Sequence, residues 1–199
     1  LWTIQNLVSS SQKATDILMS QKMMKNCLFV LNNSADSELK HESVQCLDLL
    51  IEKNLSKLDV DEKEEIGMSV LNYIRKYNHD HISLQLLHRL LNLNAWTLSL
   101  EKTRDLVTIL CQHLIDRSSS NTSDDLIHFT IRILIIIFKA DPHLLEKFLE
   151  DLINQNVKLS GIINETVKIP KFFNFSKNLI QFVALVYTST DPVAIKYNL

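Results

Sequence analysis

Glycine and proline are nearly absent from this chain, whose 199 residues contain only 2 Gly and 3 Pro. A β-sheet protein needs frequent turns whose backbone angles favour these two residues, so their scarcity argues against most sheet folds. Glycine-rich phosphate-binding loops are also excluded, because Gly67 and Gly161 are the only glycines and lie far apart. The composition therefore predicts an all-α protein made of helices joined by short loops.

An excess of charge of one sign is also missing. The chain has 21 Lys and Arg against 23 Asp and Glu, a net charge of −2, so no general basic field attracts it to nucleic acid or to an anionic membrane. The three cysteines, Cys27, Cys46 and Cys111, lie in apolar helical contexts that are typical of reduced core cysteines in intracellular proteins. No signal peptide is visible. We therefore expect an intracellular protein of the cytoplasm or nucleus.

The longest apolar stretch is Leu126–Ala140, LIHFTIRILIIIFKA. It is shorter than the roughly 20 residues of a membrane span, and it contains His128 and Arg132. Its apolar side chains fall on every side of a helical wheel, which predicts a buried helix without a solvent face. Because an unpaired buried Arg is costly, we expect Arg132 to reach a groove or to pair with a carboxylate.

Residues suited to catalysis or metal binding do not form a known pattern. There is no G-x-S-x-G elbow. Three histidines lie close together in the sequence, and a Cys and a His follow on the next predicted helix: His79, His81 and His88, then Cys111 and His113. Their spacing matches no zinc motif. We expect His88 in a groove and His113 on a helix surface. The sequence predicts neither an enzyme nor a protein that holds a metal or another cofactor.

Capping residues mark the starts of the predicted helices. They are Asp36, Asp59 with Glu62, Asp61 with Glu64, Asp80, Ser99, Thr122 with Asp125, and Asp141 before Pro142. The later helices form pairs, at about 59–77 with 80–94, 99–116 with 123–140, and 142–157 with 172–188. The first members of the pairs begin at 59, 99 and 142, which are 40 and 43 residues apart. A recurrence of this length predicts a helical repeat protein.

Alignment of the second helices supports the repeat. Asn6, Asp48, Asn92 and Ile136 are separated by 42, 44 and 44 residues. The positions one after, two before and five before each of them share one helical face. All of these positions are apolar except Ser43, so the second helices are predicted to bury the same face in every copy.

The segment Leu1–Leu7, LWTIQNL, resembles the third helix of an armadillo repeat. In importin-α-type armadillo proteins this helix carries Trp-x-x-x-Asn, the spacing of Trp2 and Asn6 here; the Asn binds the backbone of an extended peptide and the Trp packs along its side chains. The resemblance implies a divergent armadillo/HEAT-like solenoid, a right-handed α–α superhelix of about four repeats. It would form a single domain over residues 1–199, as a fragment of a longer protein. In later copies the Trp position becomes Val44, His88 and Arg132, and the Asn position becomes Asp48, Asn92 and Ile136.

Stacked repeats align the flanks of their second helices along one concave surface. The candidate partner-binding residues on that surface are Trp2, Asn6, Gln45, Asp48, His88, Arg89, Asn92 and Arg132. They predict a non-enzymatic protein–protein interaction scaffold or adaptor that holds a partner peptide or helix along the groove. An ordinary solvated face is the first alternative.

The second alternative is a structural subunit that packs end-on into a larger assembly or a homo-oligomer. It predicts a contiguous apolar patch at Leu1–Val8 or around Phe172–Tyr187. The segment Lys168–Lys177, KIPKFFNFSK, is relevant to both views. We expect its three Phe residues to anchor the last helix, and if they are exposed they would instead form such a patch.

Overall fold

The computed structural model describes residues 1–77, 80–92, 97–117, 123–154 and 180–184. Within these ranges the chain forms helices and connecting turns and no strand, so the predicted all-α class is confirmed there. None of the helices in the described ranges is long and apolar enough to cross a membrane. The helices are α1 Trp2–Ser10, α2 Gln12–Ser20, α3 Met23–Asn33, α4 Ser37–Asn54, α5 Val60–Lys76, α6 His81–Asn92, α7 Leu100–Arg117, α8 Asp124–Ala140 and α9 His143–Asn154, with a short 3-10 turn at Leu55–Lys57.

The chain divides into two compact units, Leu1–Thr97 and Leu98–Leu199. Unit 1 contains α1 to α6, and unit 2 contains α7 to α9 together with the helical residues 180–184. The sequence-based assignment of one domain over the whole chain stays a prediction.

Helix α4 is the central helix of unit 1. It packs against α1, α2, α3 and α6, while α5 packs against α3 and α6. The apolar side chains of α4 are buried because they lie at helical spacing and neighbouring helices cover them: Val44, Cys46, Leu47, Leu50 and Ile51. The core of unit 1 is therefore built around α4.

Two lysines of α4 also hold the ends of neighbouring helices. Lys40 Nζ donates a hydrogen bond to the carbonyl oxygen of Leu31 in α3 at 2.7 Å, and Lys53 Nζ donates to that of Val8 in α1. Both carbonyls belong to the last turn of their helices, where the helix dipole places partial negative charge. The two ammonium groups thus attach α3 and α1 to α4.

The predicted caps are largely confirmed. Asp36 accepts from the first turn of α4, and Asp59 forms a complete capping box with Glu62 at the start of α5. The predicted Asp61–Glu64 capping box is wrong, because α5 begins at Val60 and Asp61 lies inside its first turn. The predicted Thr122 cap of α8 is wrong, because Ser123 is the N-cap and its hydroxyl accepts from the backbone N–H of Leu126.

The capping box of α5 leads to a first prediction. We expect Asp59→Ala to lower the free energy of unfolding of unit 1 by about 1 kcal/mol, because the backbone N–H of Glu62 loses its acceptor at 2.7 Å. Asp61→Ala is the matched control and should change stability by less than about half of that. Urea denaturation followed by circular dichroism measures both variants, and equal losses would show that the box contributes nothing.

Unit 2 is built around α8. Its buried residues include Ile131, Leu134 and Phe138, as predicted for the segment Leu126–Ala140. Phe138 contacts the ring of Phe148 on α9 at 5.4 Å and that of Phe182 at 6.3 Å, measured between ring centroids. The prediction of a buried helix is therefore confirmed.

The expectation that α8 has no solvent face is wrong in one respect. Between residues 126 and 138 all side chains are buried except four that are half-buried: His128, Phe129, Arg132 and Ile136. Their spacing of three and four residues places them on a single stripe. We refer to these four residues, with exposed Lys139 one turn further on, as the α8 stripe.

Candidate partner-binding site

Three helices of unit 1 that pack in succession carry half-buried or exposed polar side chains. Helix α1 packs on α4, and α4 packs on α6. Helical spacing groups most of these side chains into one stripe on each helix, and all of them except the buried Asp48 are half-buried or exposed. We call the combined set the polar face: Trp2, Gln5 and Asn6 on α1, His41, Gln45, Asp48 and Glu52 on α4, and Gln85, Arg89 and Asn92 on α6.

Asp48 connects the two longer stripes of this face. Its Oδ1 accepts a hydrogen bond from Nε of Arg89 at 2.8 Å, and its Oδ2 accepts one from Nε2 of Gln85 at 2.8 Å. Arg89 also pairs through Nη2 with Oε1 of Glu52 at 3.2 Å. The side chains of Asp48, Arg89 and Glu52 are 7%, 26% and 47% exposed, so the ion pair extends from the interior to the solvent.

The environment of Asp48 is electrostatically unfavourable for a carboxylate. Burial raises its pKa above the ordinary value for aspartate, and the neighbouring Arg89 offsets this only in part. Both carboxylate oxygens are occupied by donors from α6. In the predicted repeat alignment Asp48 takes the place of the armadillo Asn, and in the structure its contacts join α4 to α6.

A second polar cluster lies further towards the N-terminus of α4. His41 Nδ1 is 3.3 Å from Oδ2 of Asp80, and its Nε2 is 2.7 Å from Nε2 of Gln45. Of the two contacts, the one with Gln45 is a hydrogen bond, and its direction depends on the ring tautomer. Asp80 also accepts from the backbone N–H of Ile82, as the predicted cap of α6. Burial and the nearby Asp80 carboxylate raise the pKa of Tyr73 to about 12.

Helix α1 completes the face. Gln5 Nε2 donates to the carbonyl oxygen of Glu42 on α4 at 3.2 Å, which fixes α1 beside the longer helix. Trp2 is 69% exposed, and Asn6 one turn later is exposed too. These two residues carry the armadillo resemblance, and their accessibility is compatible with ligand contact.

The structure places the predicted site residues in two groups. Those exposed or half-buried, as a groove requires, are Trp2, Asn6, Gln45, Arg89, Asn92 and, in unit 2, Arg132. Asp48 and His88 are buried, so the expectation that both lie exposed in a groove is wrong. The expected surface position of His113 is also wrong, because it is fully buried with Nδ1 3.4 Å from Oγ1 of Thr130.

Four residues of the polar face are missing from the sequence-based set: Gln5, His41, Glu52 and Gln85. Each lies on the stripe of a predicted residue, and Glu52 and Gln85 are one turn from Asp48 and Arg89. The repeat alignment compared single positions. If the alignment had also compared the positions one helical turn before and after each residue, it would have included Glu52 and Gln85.

In unit 2 the positive charge of Arg132 affects the pKa of His128. Burial lowers the pKa of His128, the positive charge of Arg132 lowers it further, and the opposing effect of Asp125 is smaller. The side chain of Arg132 is half-buried. Its predicted role in partner binding stays a prediction.

Across the described ranges, no group of three or more His, Cys, Asp or Glu residues could hold a metal ion. Cys27, Cys46 and Cys111 are buried free thiols, and the hydrogen bond to Cys46 together with burial raises the pKa of Cys27. His79 and the segment 168–177 lie outside the described residues.

No family model matches this chain, and neither a curated protein nor a solved structure matches it. The armadillo/HEAT resemblance is therefore carried by the Trp2–Asn6 spacing and by the recurrence of 42 and 44 residues. It stays a prediction, and any functional conclusion depends on the geometry of the two units.

Proposed function

We propose that this chain is a non-enzymatic scaffold that holds a segment of a protein partner on the polar face of unit 1. The observation that carries the proposal is the continuation of accessible polar side chains across three helices that pack in succession. Side-chain amides are well suited to hydrogen-bond the backbone of a bound segment, and Gln5, Gln45, Gln85 and the exposed Asn6 and Asn92 supply them.

The packing order supports a divergent armadillo/HEAT-like solenoid as the architecture. In unit 1, α1, α4 and α6 form one row of contacting helices, and α3 and α5 contact each other in a second row. Two rows of contacting helices are what stacked helical repeats produce. In unit 2, α7 contacts both α8 and α9, as neighbouring repeats would.

The ion-paired network makes the polar face suitable for binding. Asp48 positions Arg89, and Arg89 in turn positions Glu52 at the more exposed end. A ligand that meets fixed side chains loses less conformational entropy of the binding site on association. The internal bonds of Asp48 thus support the neighbouring residues that would contact the partner.

The charges favour a cationic partner segment. Asp48 and Glu52 carry two negative charges against the single positive charge of Arg89, and Glu52 is the most accessible of the three. The exposed ring of Trp2 offers a further site for a cation, because an indole face attracts ammonium and guanidinium groups. We therefore expect lysine or arginine in the bound segment.

Selection of random peptides displayed on phage, with the purified chain as bait, tests the proposal. We expect the selected peptides to be rich in Lys and Arg. We also expect Glu52→Gln and Asn92→Ala to weaken their binding by about three- to tenfold, within the range of a single exposed charge or hydrogen bond. Glu64→Gln, the same substitution at an exposed position on α5, is the matched control and should leave the affinity unchanged.

The outcome that contradicts the proposal is equally specific. If Glu52→Gln, Asn92→Ala and Glu64→Gln bind the selected peptides with the same affinity, the polar face is an ordinary solvated surface. Circular dichroism of each variant verifies that helicity is retained.

A structural subunit that packs end-on is the second candidate, and a specific observation favours it. Helices α1 and α2 pack together and expose Trp2, Leu7 and Ile17. Exposed apolar side chains on a pair of packed helices are a feature of surfaces that other proteins cover. This candidate requires no peptide binding on the polar face, so the selection experiment separates it from the first.

A further inference from the structure

The turn between α2 and α3 in unit 1 contains a strained residue. Lys22 has φ 58° and ψ 29°, in the left-handed region, and it is the one non-glycine residue with a positive φ in the described ranges. Glycine adopts this region freely, whereas a residue with a Cβ atom disfavours it. The N–H of Lys22 donates to the carbonyl oxygen of Met19 at 3.1 Å, and its own carbonyl oxygen accepts from the N–H of Asn26 at 3.2 Å. Lys22 thus ends α2 and begins α3.

The sequence around this turn favours a continuous helix instead. Residues 12–33 contain neither glycine nor proline, and Gln21, Lys22 and the two methionines that follow are strong helix formers. Gln21 has φ −88° and ψ 16°, close to the helical region. Rotation of Lys22 into the right-handed region would therefore join α2 to α3 in one helix about 33 Å long.

Tertiary contacts hold α1 and α2 against α4, but they bury little apolar surface. We call residues 2–20, which contain both helices, the arm. Val8 and Thr15 are the only buried residues of the arm. Its polar contacts include the pair between Asp16 and Lys57, in which both side chains are at least half exposed. Release of the arm therefore costs less than release of a helix from the core.

From these observations we propose that the arm is exchanged between two copies of this chain, through a turn that straightens at Lys22. The released arm docks on α4 of the second copy and makes there the contacts that it makes within its own chain in the monomer. Because these contacts are the same in both forms, the backbone preference of Lys22 favours the dimer, once for each copy. Each polar face then combines α4 and α6 of one copy with α1 of the other.

Size-exclusion chromatography with light scattering tests the exchange. The full chain is incubated over a range of concentrations in mild urea, which lets the arm open, and is then returned to buffer. We expect a dimer whose proportion rises with concentration. Lys22→Gly should lower the dimerisation constant at least about tenfold, because glycine adopts the left-handed turn freely and weakens the straight helix. Lys25→Gly, the same substitution at an exposed position inside α3, is the control and should leave the constant unchanged, since residue 25 is helical in both forms.

A cross-link identifies the exchanged segment. Oδ1 of Asp16 in the arm lies 2.9 Å from Nζ of Lys57, which follows α4. A carbodiimide can therefore join the two side chains through an amide bond. In the exchanged dimer Asp16 belongs to one copy and Lys57 to the other, so we expect the link to produce a covalent dimer. If isotope-labelled and unlabelled chains are mixed before the incubation, mass spectrometry shows which links join two copies.

Three results would overturn the inference. The first is a chain that stays monomeric at every concentration. The second is a dimer in which every link between Asp16 and Lys57 lies within one copy, as expected if chains associate through exposed side chains such as Trp2 without exchange. The third is an equal dimerisation constant for Lys22→Gly and Lys25→Gly, which would show that Lys22 is not the hinge. None of these measurements uses a peptide ligand, so the inference and the proposed function can fail independently.

Discussion

Ile135→Asp should unfold unit 2. Ile135 is 5% exposed and lies in the middle of α8, next to the fully buried Leu134. A carboxylate at this position would be removed from water, or would be protonated at a similar cost. We expect a loss of about 4 kcal/mol or more, which is a large part of the stability of a domain of this size.

The neighbouring residue provides a matched control. Ile136 belongs to the half-buried α8 stripe, so Ile136→Asp can direct its carboxylate to the solvent and should cost much less. Hydrogen exchange, measured on peptides from each unit, reports the protection of unit 1 and of unit 2 separately for both variants. A soluble Ile135→Asp protein whose α8 peptides keep their protection would show that this helix is not in the interior.

The second large effect is expected at the ion pair that joins α4 to α6. Arg89→Ala removes the donor to Oδ1 of Asp48 and leaves a buried carboxylate with only the Gln85 amide as a partner. We expect unit 1 to lose about 3 kcal/mol, because breaking one side of a buried ion pair leaves an uncompensated charge. Thermal and urea denaturation both measure this loss.

An exposed ion pair in the same unit is the control. Lys57 Nζ lies 2.9 Å from Oδ1 of Asp16, and both side chains are at least half exposed. Lys57→Ala should therefore leave the melting temperature nearly unchanged, since solvent screens such pairs. If Arg89→Ala is as mild as Lys57→Ala, the Asp48 network does not hold the two helices together.

The pH dependence of Arg89→Ala has a definite sign. The pKa of Asp48 is already raised by burial, and the loss of Arg89 raises it further. A carboxyl group whose pKa is higher in the folded state binds protons more readily there, so protonation favours folding as the pH falls through that pKa. The loss in free energy of unfolding that Arg89→Ala causes relative to the wild type should accordingly be largest at neutral pH. It should become smaller under acidic conditions.

Local signals in the sequence were sufficient for the helices and their ends. Asp36, Asp59 and Asp80 each stand just before a helix. They act as caps because a carboxylate in that place can accept hydrogen bonds from the free N–H groups of the first turn. That information lies within a few residues. The burial of α8 was also predictable, since apolar side chains on every side of a helix require cover whatever the neighbours are.

The polar face was predictable only in outline. Five of the predicted residues are accessible as expected, because each lies on the side of its helix away from the apolar positions. They are Trp2, Asn6, Gln45, Arg89 and Asn92. Asp48 followed the same pattern but is buried. Its environment depends on Arg89, 41 residues further along the chain, which a helical wheel does not contain.

The sequence alone thus determined the all-α class, most of the helix starts and the burial of Leu126–Ala140, because capping and hydrophobic periodicity act over a few residues. Only the tertiary structure decided that Asp48, His88 and His113 are buried. A polar residue is exposed or buried according to which side chains from other helices meet it. For the same reason, Leu126–Ala140 kept a half-buried stripe around Arg132, since the helices that cover α8 leave that side partly open.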